Sequence, residues 1–314
     1  MAEHGNSIVN RSRWNPQDEY FTLRSDVEAQ MRHFAGEFDG AVVLLPCNDA
    51  GSAFDRWFAD NGERLGVRGV RVPEGDFRGL RNAQEWAAAD AVATNPPFSL
   101  FPEFFEMLFR YRVRFLVVGN LLAVTQMPIW RRLEAGEVWL GHGLAGMRFR
   151  VPDGLQKASA SPRPDGDWEV RVGTACWFTN MGERPRRGVR LRRSYTPSDY
   201  PEYDNYAGVA NVDRVLEIPY DYGGVLGVPL TFLTRHDPAE FDLLGVASPG
   251  LGARWRTKEY DSVVAAHDQV TGARRALNSS AVLRGDPHRN GDGLRAKFKR
   301  VLVRRRPERV GIRV

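Results

Sequence analysis

The chain is short of the features that mark several large protein classes. It has only two cysteines, Cys47 and Cys176, in 314 residues. A disulfide-stapled secreted scaffold is therefore excluded, and the apolar surroundings of both predict buried, reduced thiols. There is no run of about 18 apolar residues, so no membrane span is expected. The opening MAEHGNSIVNRSRW lacks the apolar core of a secretory signal, which with the thiols points to a cytoplasmic home. No internal repeat or long low-complexity run occurs. The six histidines, His4, His33, His142, His236, His267 and His288, show no ligand spacing such as His-x-x-x-His, and no metal is expected. The turn LLPCNDAGSAF (44–54) lacks the Gly-x-Gly-x-x-Gly dinucleotide fingerprint.

What is present is the composition of a globular chain, 42% hydrophobic and 26% charged, enough for a sizeable core. The net charge is +5 and the isoelectric point about 9.4, a level at which nucleic acid is a fair first partner. The basic residues cluster in RPRRGVRLRR (184–193) and in the tail RAKFKRVLVRRRPERVGIRV (295–314). Each block reads two ways: an amphipathic strand with arginines on its wet face, or a phosphate-contacting surface.

Strand-like and helix-like segments alternate through the first half. TLRSDVEAQMRHFAGEF has helical spacing of Val27, Met31 and Phe34, and AVVLLP (41–46) is an apolar strand candidate. SAFDRWFADNGERLG, GLRNAQEWAAA and LFPEFFEMLFRYR read as helices, with strands RGVRV (68–72), DAVAT and RFLVVGN (114–120) between and after them. This alternation predicts an α/β fold, a mostly parallel sheet with helices on both faces, whose ligands bind beyond the carboxyl ends of the strands. Near residue 137 the pattern changes to strands: EVWLGHG, MRFRVP, WEVRVGTACWFTNM and RGVRLRRSY, with SASPRPDGD (159–167) as a loop. After about residue 200 the chain turns irregular and Tyr-, Gly- and Pro-rich. The expected division is a catalytic domain over 1–200 and a smaller target-recognition region over 201–314.

The most informative stretch is ATNPPFSLF (93–101). Asn95 precedes a proline and is pushed to extended backbone. Pro96 and Pro97 have fixed φ and no N–H, so the turn is stiff and offers acceptors without competing donors. The Asn95 side-chain oxygen and the Pro96 carbonyl can together accept both hydrogens of one exocyclic amino group. Gripped that way, the nitrogen of a nucleobase amine becomes pyramidal and its lone pair leaves the ring plane, a stabilisation by placed dipoles. Phe98 offers a flat face for stacking. The remaining requirement is an electrophile in line, such as the methyl of a sulfonium cofactor.

The cofactor side belongs at neighbouring strand ends. LLPCNDAGSAF (44–54) runs from a strand through Pro46, an acidic residue, Gly and small residues into a helix. Small residues there let a bulky ligand approach the backbone, and Asp49 can pair with its sulfonium or amino-acid end. In PEGDFRG (73–79), Glu74 is a candidate for ribose hydroxyls and Asp76 for an adenine amino group. Both stretches read equally as solvated turns. Trp177 and Phe178 are candidates for a base pocket or for core, and YPEYDNY (200–206) for the nucleic-acid side.

With NPPF in place the chain resembles the EcoRI-type adenine-specific DNA methyltransferase family. The resemblance is carried by DEYFTLRSDVEAQMRHF, VVLLPCNDAGSAFDRWF, GDFRG, ADAVATNPPFSLFPEFF, ACWFTN, YPEYDNYAGV and IPYDYGGVLGVPLTFLTRHDPAEFDLLG, in that order. It implies a Rossmann-like sheet, S-adenosylmethionine as donor and N6 of adenine in duplex DNA as acceptor. It further implies Asn95, Pro96, Pro97 and Phe98 as the catalytic turn. Tyr20 and Thr22 would line the methionine end of the cofactor, Pro46 and Asp49 its turn, and Asp76 and Phe77 its adenine. Where many amino methyltransferases have an acidic residue before the proline of the first turn, this chain has Leu45. Arg190, Arg192 and Arg193 are expected to touch phosphate. A monomer is the expected state, with a cognate restriction endonuclease as a candidate counterpart. The alternatives are transfer to an amino group in RNA (guanine N2 or adenine N6) or to a protein glutamine amide, or a catalytically silent nucleic-acid-binding protein of the same fold.

Overall fold

Where the sequence alternates apolar runs with amphipathic ones, the computed structural model has a strand–helix alternation. It describes residues 20–151, 160–162, 166–184, 188–260, 265–267, 274–285 and 294–312. The chain divides into two compact units, Met1–Ala123 with Ala135–Pro185, and Val124–Glu134 with Arg186–Val314.

The first unit contains β1 (Phe21–Thr22), α1 (Arg24–Met31), β2 (Val42–Leu44), α2 (Ala53–Asn61), β3 (Gly69–Arg71), α3 (Leu80–Ala87), β4 (Ala91–Thr94), α4 (Phe101–Arg110) and β5 (Arg114–Asn120). After these come β6 (Trp139–Leu140), β7 (Met147–Val151), β8 (Ala160–Pro162), β9 (Trp168–Val172) and β10 (Ala175–Thr179). Its main sheet has the order β3-β2-β4-β5-β10-β6. The first four strands are parallel, and β10 and β6 are added antiparallel. All four residues of β4 are buried, as a strand covered on both faces requires. The helix expected over 22–38 is shorter: α1 ends at Met31 and a 3-10 turn, Ala35–Phe38, follows.

The order of the parallel strands positions the site. From β2 the chain crosses through α2 to β3 on one side, then returns through α3 to β4 on the other. The turns leaving β2 and β4 therefore diverge, and a crevice opens at their carboxyl ends. A second sheet, β1-β7-β9-β8, is antiparallel, with Phe21 opposite Arg150 and Thr22 opposite Phe149. The two sheets share one apolar core, in which Val43, Ala93 and Leu116 join Phe149, Val170 and Trp177. Trp177 packs against Phe54 and Phe178 against Phe101, both as core.

The second unit contains α5 (Met127–Glu134), β11 (Glu202–Tyr203), β12 (Tyr206–Asn211), β13 (Val225–Pro229), β14 (Phe241–Val246), β15 (Ala265–His267), β16 (Arg274–Ala276), β17 (Val282–Arg284), β18 (Leu294–Ala296) and β19 (Arg300–Arg305). Strands β11-β12-β13-β19-β14 make one sheet, and β15-β16 and β17-β18 are two-stranded antiparallel pairs. The weak periodicity after residue 200 thus conceals a five-stranded sheet. Its strands are short, and burial runs such as Val225–Val228 leave no polar alternation to read. Two expectations are corrected here. RGVRLRRSY is not a ladder strand: its described part, 188–195, has no regular secondary structure beyond one isolated bridge, Arg193 to Pro219. In YPEYDNY the tyrosines Tyr200, Tyr203 and Tyr206 are buried, their rings covering core rather than facing a partner. No helix among the described residues is long and apolar enough to cross a membrane.

Candidate active site

Asn95 stands immediately beyond the end of β4. Pro96 and Pro97 are buried, and Asn95 and Phe98 are half-buried. The Pro97 carbonyl accepts from the Leu100 N–H at 3.0 Å. The turn therefore closes into a 3-10 turn, Phe98–Leu100, and runs on into α4, with a proline in that helix's first turn.

The asparagine amide is oriented from outside. Its Nδ2 donates to the Tyr20 carbonyl at 2.9 Å. A carbonyl only accepts, so this bond decides which end of the amide faces it. Oδ1 then points away, buried and without a hydrogen-bond partner among the described residues. An empty buried acceptor costs about 1–3 kcal/mol, and such groups call for an explanation. A ligand N–H is the explanation that fits the place. The Phe98 ring lies 5.7 Å from that of Tyr20 and 6.1 Å from that of Phe149, which meets it edge-on. Tyr20 and Phe149 are themselves 5.3 Å apart. The Thr22 hydroxyl oxygen beside them is a second buried polar atom without a partner among the described residues.

The turn after β2 is built to a fixed shape. Pro46 and Cys47 are buried, Asp49 is half-buried, and Gly51 has φ +81°, a conformation that suits glycine. Ser52 caps α2 by accepting from the Asp55 N–H at 3.2 Å, while the Asp55 carboxylate reaches back to the Gly51 N–H at 2.7 Å. This reciprocal cap locks the turn. Burial pushes the Cys47 thiol well above its ordinary range, and the nearby Asp76 charge adds to this. Burial does the same to Cys176, so neither is a ready nucleophile.

In the turn after β3, the Asp76 carboxylate accepts from the Arg78 backbone N–H and guanidinium, each at 2.9 Å, and its carbonyl accepts from Asn82 Nδ2 at 2.6 Å. Arg78 continues to Glu103 at 3.0 Å. The Phe77 ring is fully buried against Phe104, and its carbonyl accepts from the Trp86 indole at 3.1 Å. Glu74 is exposed. Nothing in the sequence around Asn48, Arg78, Asn82 or Phe149 marked them as site neighbours. Their partners lie across the sheet or one turn away.

A model of the family described as adenine-specific methyltransferase EcoRI matches residues 8–72 and 67–306. The chain belongs to this family. Among curated relatives, the type II methyltransferase M.EcoRI of Escherichia coli is 28% identical over 76% of this chain and 89% of its own length. M.MpnI of Mycoplasma pneumoniae is 29% identical over 75% of this chain and 84% of its own, and M.MgeORF184P of Mycoplasma genitalium 28% over the same shares. A solved precorrin-6y C5,15-methyltransferase from Geobacter metallireducens overlays on 52% of this chain and 93% of its own. Its TM-score is 0.27 at 15% identity, too loose to argue from. Membership makes the chain a methyltransferase, with S-adenosylmethionine as methyl donor.

In the second unit, the two basic blocks of this family member differ sharply. Arg190, Arg192 and Arg193 are exposed, while Val189 and Leu191 between them are buried. None of the three guanidiniums forms an ion pair among the described residues. The tail arginines are instead absorbed by the protein. Arg305 is wholly buried against Glu240, which Arg309 also engages, and Arg304 and Arg306 approach Asp242 at 3.9 and 3.3 Å.

Proposed function

We propose that this chain methylates N6 of an adenine lifted out of duplex DNA. The observation that carries the reading is the empty, buried Oδ1 of Asn95. It sits at the carboxyl end of β4, beside the crevice of the parallel sheet, in a chain of an adenine-specific methyltransferase family.

The residues around the crevice fit S-adenosylmethionine. The Pro46–Ser52 turn offers small residues and the Asp49 carboxylate, Thr22 has an unsatisfied hydroxyl, and the Asp76–Phe77 turn is rigidly held. Bound there, the donor supplies a methyl group on a sulfonium, an electrophile that needs no further activation. The protein's own work is on the amine. Asn95 Oδ1 and the Pro96 carbonyl accept its two hydrogens and turn the lone pair out of the ring plane. Phe98 stacks on the purine and Pro97 keeps the turn stiff. Tyr20 fixes the Asn95 amide, and with Thr22 lines the methionine end. Asp49 would pair with that end from the β2 turn, and Asp76 would take the cofactor's adenine, with the buried Phe77 ring holding their turn in place. No covalent enzyme intermediate is required, in keeping with the two buried thiols.

Lifting the base out costs a few kcal/mol, offset by stacking and by phosphate contacts. Arg190, Arg192 and Arg193 are the candidates for those contacts, because their charge is not spent inside the protein. The second unit supplies target recognition. One chain modifies one strand per visit, so the working form is a monomer, acting in the cytoplasm, with a restriction endonuclease of the same specificity as its natural counterpart.

The test is transfer of radiolabelled methyl from S-adenosylmethionine to duplex DNA, structured RNA and protein in parallel. Label recovered as N6-methyladenine from duplex DNA is expected. Label confined to RNA or protein, or none at all, overturns the reading.

A further inference from the structure

The last ladder pair between β2 and β4 is Leu44 with Val92. Beyond it the two chains part, and a side-chain contact bridges them. Thr94, the final residue of β4, is wholly buried, one position before Asn95. Its Oγ1 donates to Asn48 Oδ1 at 2.7 Å, and Asn48 is only 8% exposed. A hydroxyl has one proton, and an amide oxygen can only accept. The Thr94 proton therefore goes to Asn48. This one bond ties the turn after β2 to the end of β4.

We infer that Thr94 is a positioning residue, a latch that sets the spacing between the donor turn and Asn95 Oδ1. The inference rests on the methyl-transfer function proposed above. Asn95 is then held at two points: its side chain by the Tyr20 carbonyl, and its backbone through Thr94 by Asn48. The latch acts on the transfer step, where a small misplacement is felt, rather than on the affinity for either ligand.

The test compares Thr94→Val, which keeps the shape and loses the hydroxyl, with Thr94→Ser, which keeps the hydroxyl, and Asn48→Ala, which breaks the bond from the other side. In Thr94→Val the single-turnover rate of methyl transfer to duplex DNA is expected to fall about 10–100-fold, with affinity for S-adenosylhomocysteine within about 3-fold of the parent. Thr94→Ser restores the rate, and Asn48→Ala reproduces the loss, which keeps the test alive if Thr94→Val does not fold. A second readout is independent of activity. Cys47 and Cys176 are the only thiols, both buried, so Cys176 serves as an internal reference for alkylation by a small maleimide. Thr94→Val should speed alkylation of Cys47 several-fold and leave Cys176 unchanged. A parental rate in Thr94→Val, failure of serine to rescue, a loss confined to cofactor affinity, or unchanged Cys47 labelling each overturns the latch. If the parent methylates no DNA while the labelling pattern holds, the function fails and the latch stands.

Discussion

Asn95→Ala separates chemistry from stability more cleanly than any other change in the molecule. In the folded protein it removes the bond from Nδ2 to the Tyr20 carbonyl, a loss of about 1 kcal/mol. It also removes the buried, partnerless Oδ1, whose desolvation costs about 1–3 kcal/mol. These contributions oppose each other and cancel to within about 1–2 kcal/mol. The melting temperature should move by only a few degrees, in either direction. In the reaction there is no such cancellation. Oδ1 accepts from the amine as its lone pair is freed, and deleting one placed dipole of that kind costs roughly 10²–10³ in rate, about 2.7–4 kcal/mol of barrier. The assay pairs single-turnover methylation of a saturating duplex with a thermal melt and a titration of S-adenosylhomocysteine. A slow, normally folded, cofactor-binding variant is expected. A variant at the parental rate would refute the catalytic role. A loss of stability above about 3 kcal/mol, beyond what these groups can supply, would make Asn95 a structural residue.

Three further outcomes follow from features away from the reacting atoms. Arg190→Ala with Arg192→Ala should lower the slope of log affinity against log salt by about 0.9 per arginine, measured by fluorescence anisotropy on a duplex, without changing the transfer rate at saturating DNA. An unchanged slope removes them from the interface. Glu240→Ala strands the buried Arg305 and should cost about 3 kcal/mol in urea denaturation, with a parental midpoint as the refuting result. Burial alone would raise the Asp204 carboxyl, but the bonds from Lys258, Tyr260 and Arg284 outweigh it and hold it down at about 2. The folded pKa is depressed, so the stabilisation is complete above the unfolded value near pH 4 and lost as pH falls through about 2. Lys258 and Arg284 are largely exposed, so the contribution is on the order of 1–2 kcal/mol after screening. Asp204→Asn should flatten that part of the stability–pH curve, and an unaltered acid limb contradicts the assignment.

How much of this was legible beforehand depended on how local the cause was. Asn95–Phe98 could be read because two prolines impose their geometry whatever surrounds them. The apolar strands β2, β4 and β5 could be read because burial on both faces leaves no exposed position in β4 and only the ends of β5 less than buried. The pairing of β1 with β7 could not be read, since a two-residue strand carries no periodicity and its partner lies more than a hundred residues on. Nor could the fate of the tail arginines. RRRPER looks like a phosphate contact until Glu240 and Asp242, some sixty residues earlier, are seen beside it. In RPRRGVRLRR, by contrast, no acidic residue folds onto the guanidiniums of Arg190, Arg192 and Arg193 among the described residues.

The Tyr20 carbonyl has a consequence for the order in which the enzyme comes into being. It precedes a short strand whose ladder partner among the described residues, β7, is made much later during synthesis. A nascent chain thus carries Asn95 and the donor loop well before anything aims the amide. Clipping the protein just after Thr22 would leave the main sheet's six strands intact yet strip the amide of its guide, giving a folded scaffold with an unaimed reagent.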